Sequence, residues 1–84
     1  MTQVVYMLLT TKYGKEKDVS EYLMRFKEVD DVHILYGQFD VIVKLEAKDM
    51  KTIEDFIFNK VRTNKDIESS ETLIAADASS KPHS

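Results

Sequence analysis

Residues Val4 to Thr10 read VVYMLLT, an unbroken β-branched, aromatic and apolar run of strand rather than helix length. Successive side chains of a strand point to opposite faces, so Val4, Tyr6 and Leu8 share one side while Val5, Met7 and Leu9 share the other. Both sides are apolar. A strand of this kind needs a cover above and below, and a chain of 84 residues has room for one domain and few elements to supply those covers.

The rest of the pattern supplies one cover. After the polar segment ending at Gly14, Val19, Tyr22, Leu23 and Phe26 fall at i, i+3, i+4 and i+7, which predicts a helix over residues 15–26. Asp30 and Asp31 read as a turn into a short strand, 32–36, that ends at Gly37. Residues 40–47 alternate, with Val41, Val43, Leu45 and Ala47 opposite Asp40, Ile42, Lys44 and Glu46. The connection Gly37-Gln38-Phe39 suits a hairpin, where glycine provides a positive φ. Asp49 is a candidate N-cap for a second helix, with Met50, Ile53, Phe56, Ile57 and Val61 on its apolar stripe, running to about Thr63. Asn64 is placed to close it in the left-handed conformation. A last strand falls within 67–76, centred on 72–76, which puts the domain at residues 1–76 and a polar frayed tail at 77–84.

Strand, helix, strand, strand, helix, strand with right-handed crossovers folds into an α+β, ferredoxin-like βαββαβ domain: a four-stranded antiparallel sheet with both helices on one face. The other face is bare. We take Val5, Met7 and Leu9, with His33, Leu35 and Ile42, as the side that needs a second cover. Burying about five such side chains is worth on the order of 7 to 15 kcal/mol gross, against an association cost of roughly 4 to 15 kcal/mol. Dimerisation fits this estimate without being required by it; the alternative is a monomer that tolerates a partly apolar sheet face. There are no cysteines, so disulfides, thiolate metal sites and thiol nucleophiles are excluded.

With 43% hydrophobic and 32% charged residues the composition is that of a folded globular chain. Twelve basic against fifteen acidic residues give a net charge of −3, which offers no footprint for direct nucleic-acid binding. The apolar run at the N-terminus is too short to span a membrane and lacks the flanks of a signal peptide, so no membrane partner and a cytoplasmic location are expected. His33, inside a strand, and His83, after Pro82, form no metal-ligand spacing. Nucleophile-elbow, phosphate-loop and dinucleotide motifs are missing, and two glycines could not build them. No cofactor and no metal are expected. The aromatic residues Tyr6, Tyr22, Phe26, Phe56 and Phe58 read as core or interface.

The most unusual local feature is Tyr36-Gly37-Gln38-Phe39-Asp40, a glycine hairpin that sets an aromatic and a carboxylate at the sheet's end. Backbone N–H groups there could meet a small ligand while Asp40 attracts a cation, although an ordinary turn would look the same. This Gly-Gln-Phe-Asp hairpin, the following VIVKLEA strand, the acid-capped helix and the final Thr72-Leu73-Ile74 resemble the effector-binding domain of Lrp/AsnC regulators. Their pattern is G-x-[YF]-D, a helix and a last strand with threonine; the resemblance covers about residues 3–76.

The resemblance implies a domain that pairs through its sheets, assembles dimers into a ring and binds amino acids or related metabolites between dimers. The positions it implicates are Gly37, Gln38, Phe39 and Asp40, with Ser70 and Thr72 as hydroxyl contributors. No helix-turn-helix precedes the first strand, so the chain resembles the stand-alone form of the domain, a non-enzymatic module that could modulate a full-length regulator by mixed assembly. The competing reading is a cofactor-independent dimeric α+β barrel enzyme of the monooxygenase or isomerase type, whose polar cavity would lie between sheet and helices.

Overall fold

The computed structural model describes residues 2–76; the expected tail lies outside the described residues. Its elements run β1 (Gln3–Thr11), α1 (Glu16–Leu23), β2 (Val29–Ile34), β3 (Val41–Ala47), α2 (Met50–Phe56), a π-helical turn (Ile57–Val61) and β4 (Ile67–Ile74). The strands form one antiparallel sheet in the order β2-β3-β1-β4, so the doubly apolar β1 is central. This is the ferredoxin-like arrangement that the sequence predicts.

The register assigns the faces. Val5, Met7 and Leu9 lie opposite Leu45, Val43 and Val41, and all six are fully buried with Val19 and Leu23 of α1 and with Ile53, Phe56, Ile57 and Val61 of the second helix. Both helices therefore cover the same sheet face. The expected interface set is corrected here: Val5, Met7 and Leu9 have no surface left to offer a partner. The uncovered side of β1 is Val4, Tyr6 and Leu8, opposite Glu46, Lys44 and Ile42.

Other boundaries move for identifiable reasons. Asp30 and Asp31 are not a turn; they sit inside β2, where the register slips between Val29 and Asp31 and lets two residues oppose one. α1 ends at Leu23, and Met24 to Glu28 continue as turns. The second helix keeps its expected length but changes winding after Phe56, with Arg62 N–H donating to Ile57 O at 2.9 Å. No described non-glycine residue has a positive φ, so Asn64 does not close that helix in the left-handed conformation. Instead its side-chain oxygen accepts from Asp66 N–H at 2.9 Å, an Asx-type turn into β4. Phe58, one position off the apolar stripe, is 68% exposed. Edge-on contacts of Tyr22 with Phe26 and of Phe26 with Phe56, at 5.1 and 5.3 Å between centroids, join α1 to α2. The Tyr22 hydroxyl donates to Lys60 O at 2.9 Å. Among the described residues no helix is long and apolar enough to cross a membrane.

Asp49 caps α2 as its position predicts: its carboxylate accepts from Thr52 N–H and from the Thr52 hydroxyl, both at 2.8 Å. Those two bonds hold the Asp49 carboxyl below the usual carboxylate range. Because the folded value is depressed, the contribution to stability is present above the ordinary carboxyl range and is lost as pH falls through the depressed value. Urea denaturation at successive pH values should show Asp49→Asn, which still caps, losing less stability on acidification than the parent. Leu45→Ala, at a fully buried position, should lower the unfolding free energy by about 2 to 5 kcal/mol in the same assay.

Candidate functional site

The hairpin between β2 and β3 is a six-residue loop, 35–40, closed by Leu35 N–H donating to Asp40 O at 2.8 Å. Gly37 has φ 140°, a conformation that side chains disfavour, and a Cβ built on it would meet nothing within 4 Å. Its glycine is thus required by backbone conformation and not by a close neighbour. Gly37 and Gln38 are exposed, and Phe39 is half-buried.

Asp40 does more than point a charge outward. Its Oδ2 accepts from Thr11 N–H at 2.8 Å, and its own N–H donates to Leu9 O at 2.8 Å. The side chain therefore pins the hairpin to the end of β1, with one carboxylate oxygen committed to the backbone. Thr11 itself escaped the sequence reading. It is 6% exposed, and its Oγ1 is buried without a hydrogen-bond partner in the described structure. Its continuation of the Val5, Met7, Leu9 parity was the available signal.

Ser70 and Thr72 lie opposite Leu9 and Met7 on β4 and are exposed. Ser70 and Val41 thus flank Leu9 from two sides, roughly 10 Å apart across two strand spacings. Within one chain the hairpin and the hydroxyls of β4 do not converge on a single pocket. Thr72 instead lines a depression of about 240 Å³ with Glu54, Ile57, Phe58 and Arg62, the Arg62 guanidinium lying 5.7 Å from the Phe58 centroid.

The uncovered sheet face carries the third group of residues. An apolar strip of Val4, Tyr6 and Leu8 continues onto Ile42 of β3 and Leu73 of β4, the last 48% exposed. Beside it, Tyr6, Asp31, His33, Ile42 and Lys44 line a depression of about 250 Å³. His33 and Ile42 are on this face as expected, whereas Leu35 is the first residue of the loop beyond β2. A hydrogen-bonded pair and an ion pair stand there: His33 Nε2 is 2.9 Å from Asp31 Oδ2, and Lys44 Nζ is 3.3 Å from Asp30 Oδ2. The Asp30 contact raises the Lys44 ammonium above its ordinary range.

A model of the Lrp/AsnC ligand binding domain matches residues 4–82 of the chain. The chain belongs to the Lrp/AsnC family. An uncharacterised HTH-type transcriptional regulator of Pyrococcus horikoshii, PH0140, is 34% identical over 71 residues, 84% of this chain and 45% of the regulator. The chain thus spans less than half of that relative's length. The solved structure of FFRP-DM1 superposes with a TM-score of 0.84 at 36% identity, covering 87% of this chain and 97% of that one. The Neisseria meningitidis transcriptional regulator NMB0573, solved in complex with L-Met, shares the fold at 12% identity with a TM-score of 0.81, over 94% of this chain and 53% of that one.

In this Lrp/AsnC chain the hairpin's geometry depends on Asp40. Asp40→Ala leaves Thr11 N–H without its charged acceptor and should cost about 1.5 to 3 kcal/mol of stability by chemical denaturation. Phe39→Ala, which breaks no such bond, should cost less.

Proposed function

We propose that the chain is an effector-binding and oligomerising module: a second copy seals the open sheet face, pairs assemble further into a ring, and a small amino acid or related metabolite binds between dimers. The match to a ligand-binding domain model over residues 4–82 carries this reading. The amino acid class is favoured because a regulator of the same fold is complexed with L-Met. Under this reading Gly37, Gln38 and Phe39 contribute main-chain and aromatic contacts. Asp40 holds the loop in shape while its second oxygen faces the ligand's ammonium. Ser70 and Thr72 complete the site from another copy, which accounts for their failure to meet the hairpin within one chain. A full-length Lrp/AsnC regulator is a further partner through mixed assembly.

An apolar strip on this face could meet the same strip of a second copy in an isologous contact, with the basic Lys44 and the acidic residues of β2 on the same face. The enzyme reading has less support. It needs a polar cavity between sheet and helices, and that space is filled by aliphatic and aromatic side chains, with Thr11 the buried polar residue at its end.

Sedimentation velocity at micromolar concentration should give a dimer or a multiple of it, and calorimetry against the twenty amino acids should identify at least one ligand. Leu8→Lys should shift the mass towards a single subunit without unfolding it, because the new ammonium lies opposite Glu71 within the chain but is buried when two faces meet. A monomeric parent protein would refute the assembly; no binding by any amino acid would refute the sensing.

A further inference from the structure

Resting on the reading that a second copy closes the open face, we propose that His33 and Asp31 form a proton site that sets how tightly that face closes: association takes up protons and weakens as pH rises. The observation is the distribution of charge around the depression on that face. Two neighbouring carboxylates of β2 are each met by one basic group. Lys44 Nζ stands 3.3 Å from Asp30, and His33 Nε2 stands 2.9 Å from Asp31. Lysine keeps its charge throughout the neutral range, and histidine does not. Asp31 is therefore the carboxylate whose counter-charge depends on pH.

In a single chain this matters little, because the side chains of His33 and Asp31 are 65% and 57% exposed and water solvates either state. Closure changes the balance. The pair borders the apolar strip, with Ile42 directly opposite His33 and Tyr6 lining the same depression, so a second sheet laid on the strip removes water from it. With His33 neutral, Asp31 enters the interface as an uncompensated negative charge; with His33 protonated, the two enter as a neutral, hydrogen-bonded doublet. Burial by itself disfavours the imidazolium, but here the alternative is a bare carboxylate, so the protonated pair is the cheaper one to desolvate.

The other charged groups on the face act in the same direction. Glu46 of β3 and Glu71 of β4 add negative charge that is unpaired among the described residues, so two identical faces repel more when His33 is neutral. Carboxylates, tyrosines and lysines ordinarily titrate outside the range from pH 5.5 to 8. Of the groups named on this face, the imidazole is therefore the one whose charge changes in that window; the α-amino group, away from these residues in sequence, is common to the parent and both variants.

The sign follows from linkage. A group whose proton is held more tightly in the closed dimer stabilises that dimer below the imidazole range, and the effect is lost as pH rises through it. With two such sites per dimer, the dissociation constant should rise at least about tenfold between pH 5.5 and 8. Sedimentation equilibrium of the full chain across that range reads it directly. His33→Gln should be flat across the range and as weak as the parent at pH 8. Asp31→Asn, which removes the charge that needs compensating and leaves His33 to be buried alone, should reverse the slope and associate more tightly at pH 8 than at pH 5.5. His83, outside the described residues, is retained in both variants and controls for the other imidazole. Circular dichroism shows whether each variant folds. A dimer whose affinity is the same at pH 5.5 and 8, or a His33→Gln variant that keeps the parent's slope, would overturn the proton site and leave the assembly standing. A parent chain that stays monomeric at every pH would overturn the assembly and the proton site together.

Discussion

The structure depends on burying one side of β1 beneath the helices. Its central position gives it two hydrogen-bonded neighbours, and its Val5, Met7, Leu9 side joins Val41, Val43 and Leu45 in a flat apolar layer for the helices. Everything else in the fold serves that layer. The stripe of α1 and the stripe of the second helix meet over it, the Tyr22, Phe26 and Phe56 rings close the seam between them, and Asp49 sets where the second helix begins. A domain this small hides a limited share of its surface, so each fully buried side chain carries a large fraction of the net stability.

The opposite side of β1 links folding to function. Tyr6 and Leu8 are largely apolar like the residues behind them, yet the described residues hold no third layer to place there. The two sheet edges are poor substitutes for a face-to-face contact. β2 is bulged at its acidic pair, and β4 presents Glu68 and Glu71 among exposed serines, features that discourage edge-to-edge strand pairing. Under the proposed assembly these edges would leave the face as the surface for association, and the polar groups around the apolar strip would set the conditions under which it closes.

Much of this was legible from residue types. The six elements, their order and the helix stripe from Met50 to Val61 follow from periodicities that survive folding unchanged, because a stripe of 3.6 spacing can bury itself only as a helix. The cap at Asp49 and the positive φ at Gly37 are local chemistry and were equally visible. What misled was chemistry with two local solutions. An Asp-Asp pair suits a turn, but here the same residues sit in a bulged strand whose partner Lys44 takes one of the carboxylates. Asn64 suits a left-handed cap, but its side chain bonds forward to Asp66 instead. Asp40 reads as a free carboxylate until β1 is placed beside it and Thr11 N–H is found on its oxygen.

The sequence by itself determined that one strand would be apolar on both faces, that two amphipathic helices would lie beside it and that a glycine hairpin would join the strands at the sheet's end. Only the tertiary structure decided which face of that strand the helices take. Val4 and Leu8 repeat Val5 and Leu9, and only Tyr6 against Met7 distinguishes the two sides, so composition ranks them weakly. The decision comes from register with β3, whose alternation is unequal. Lys44 and Glu46 must point away from the helices, and pairing Leu45 with Val5 carries Val5, Met7 and Leu9 inward and leaves Tyr6 and Leu8 in the open.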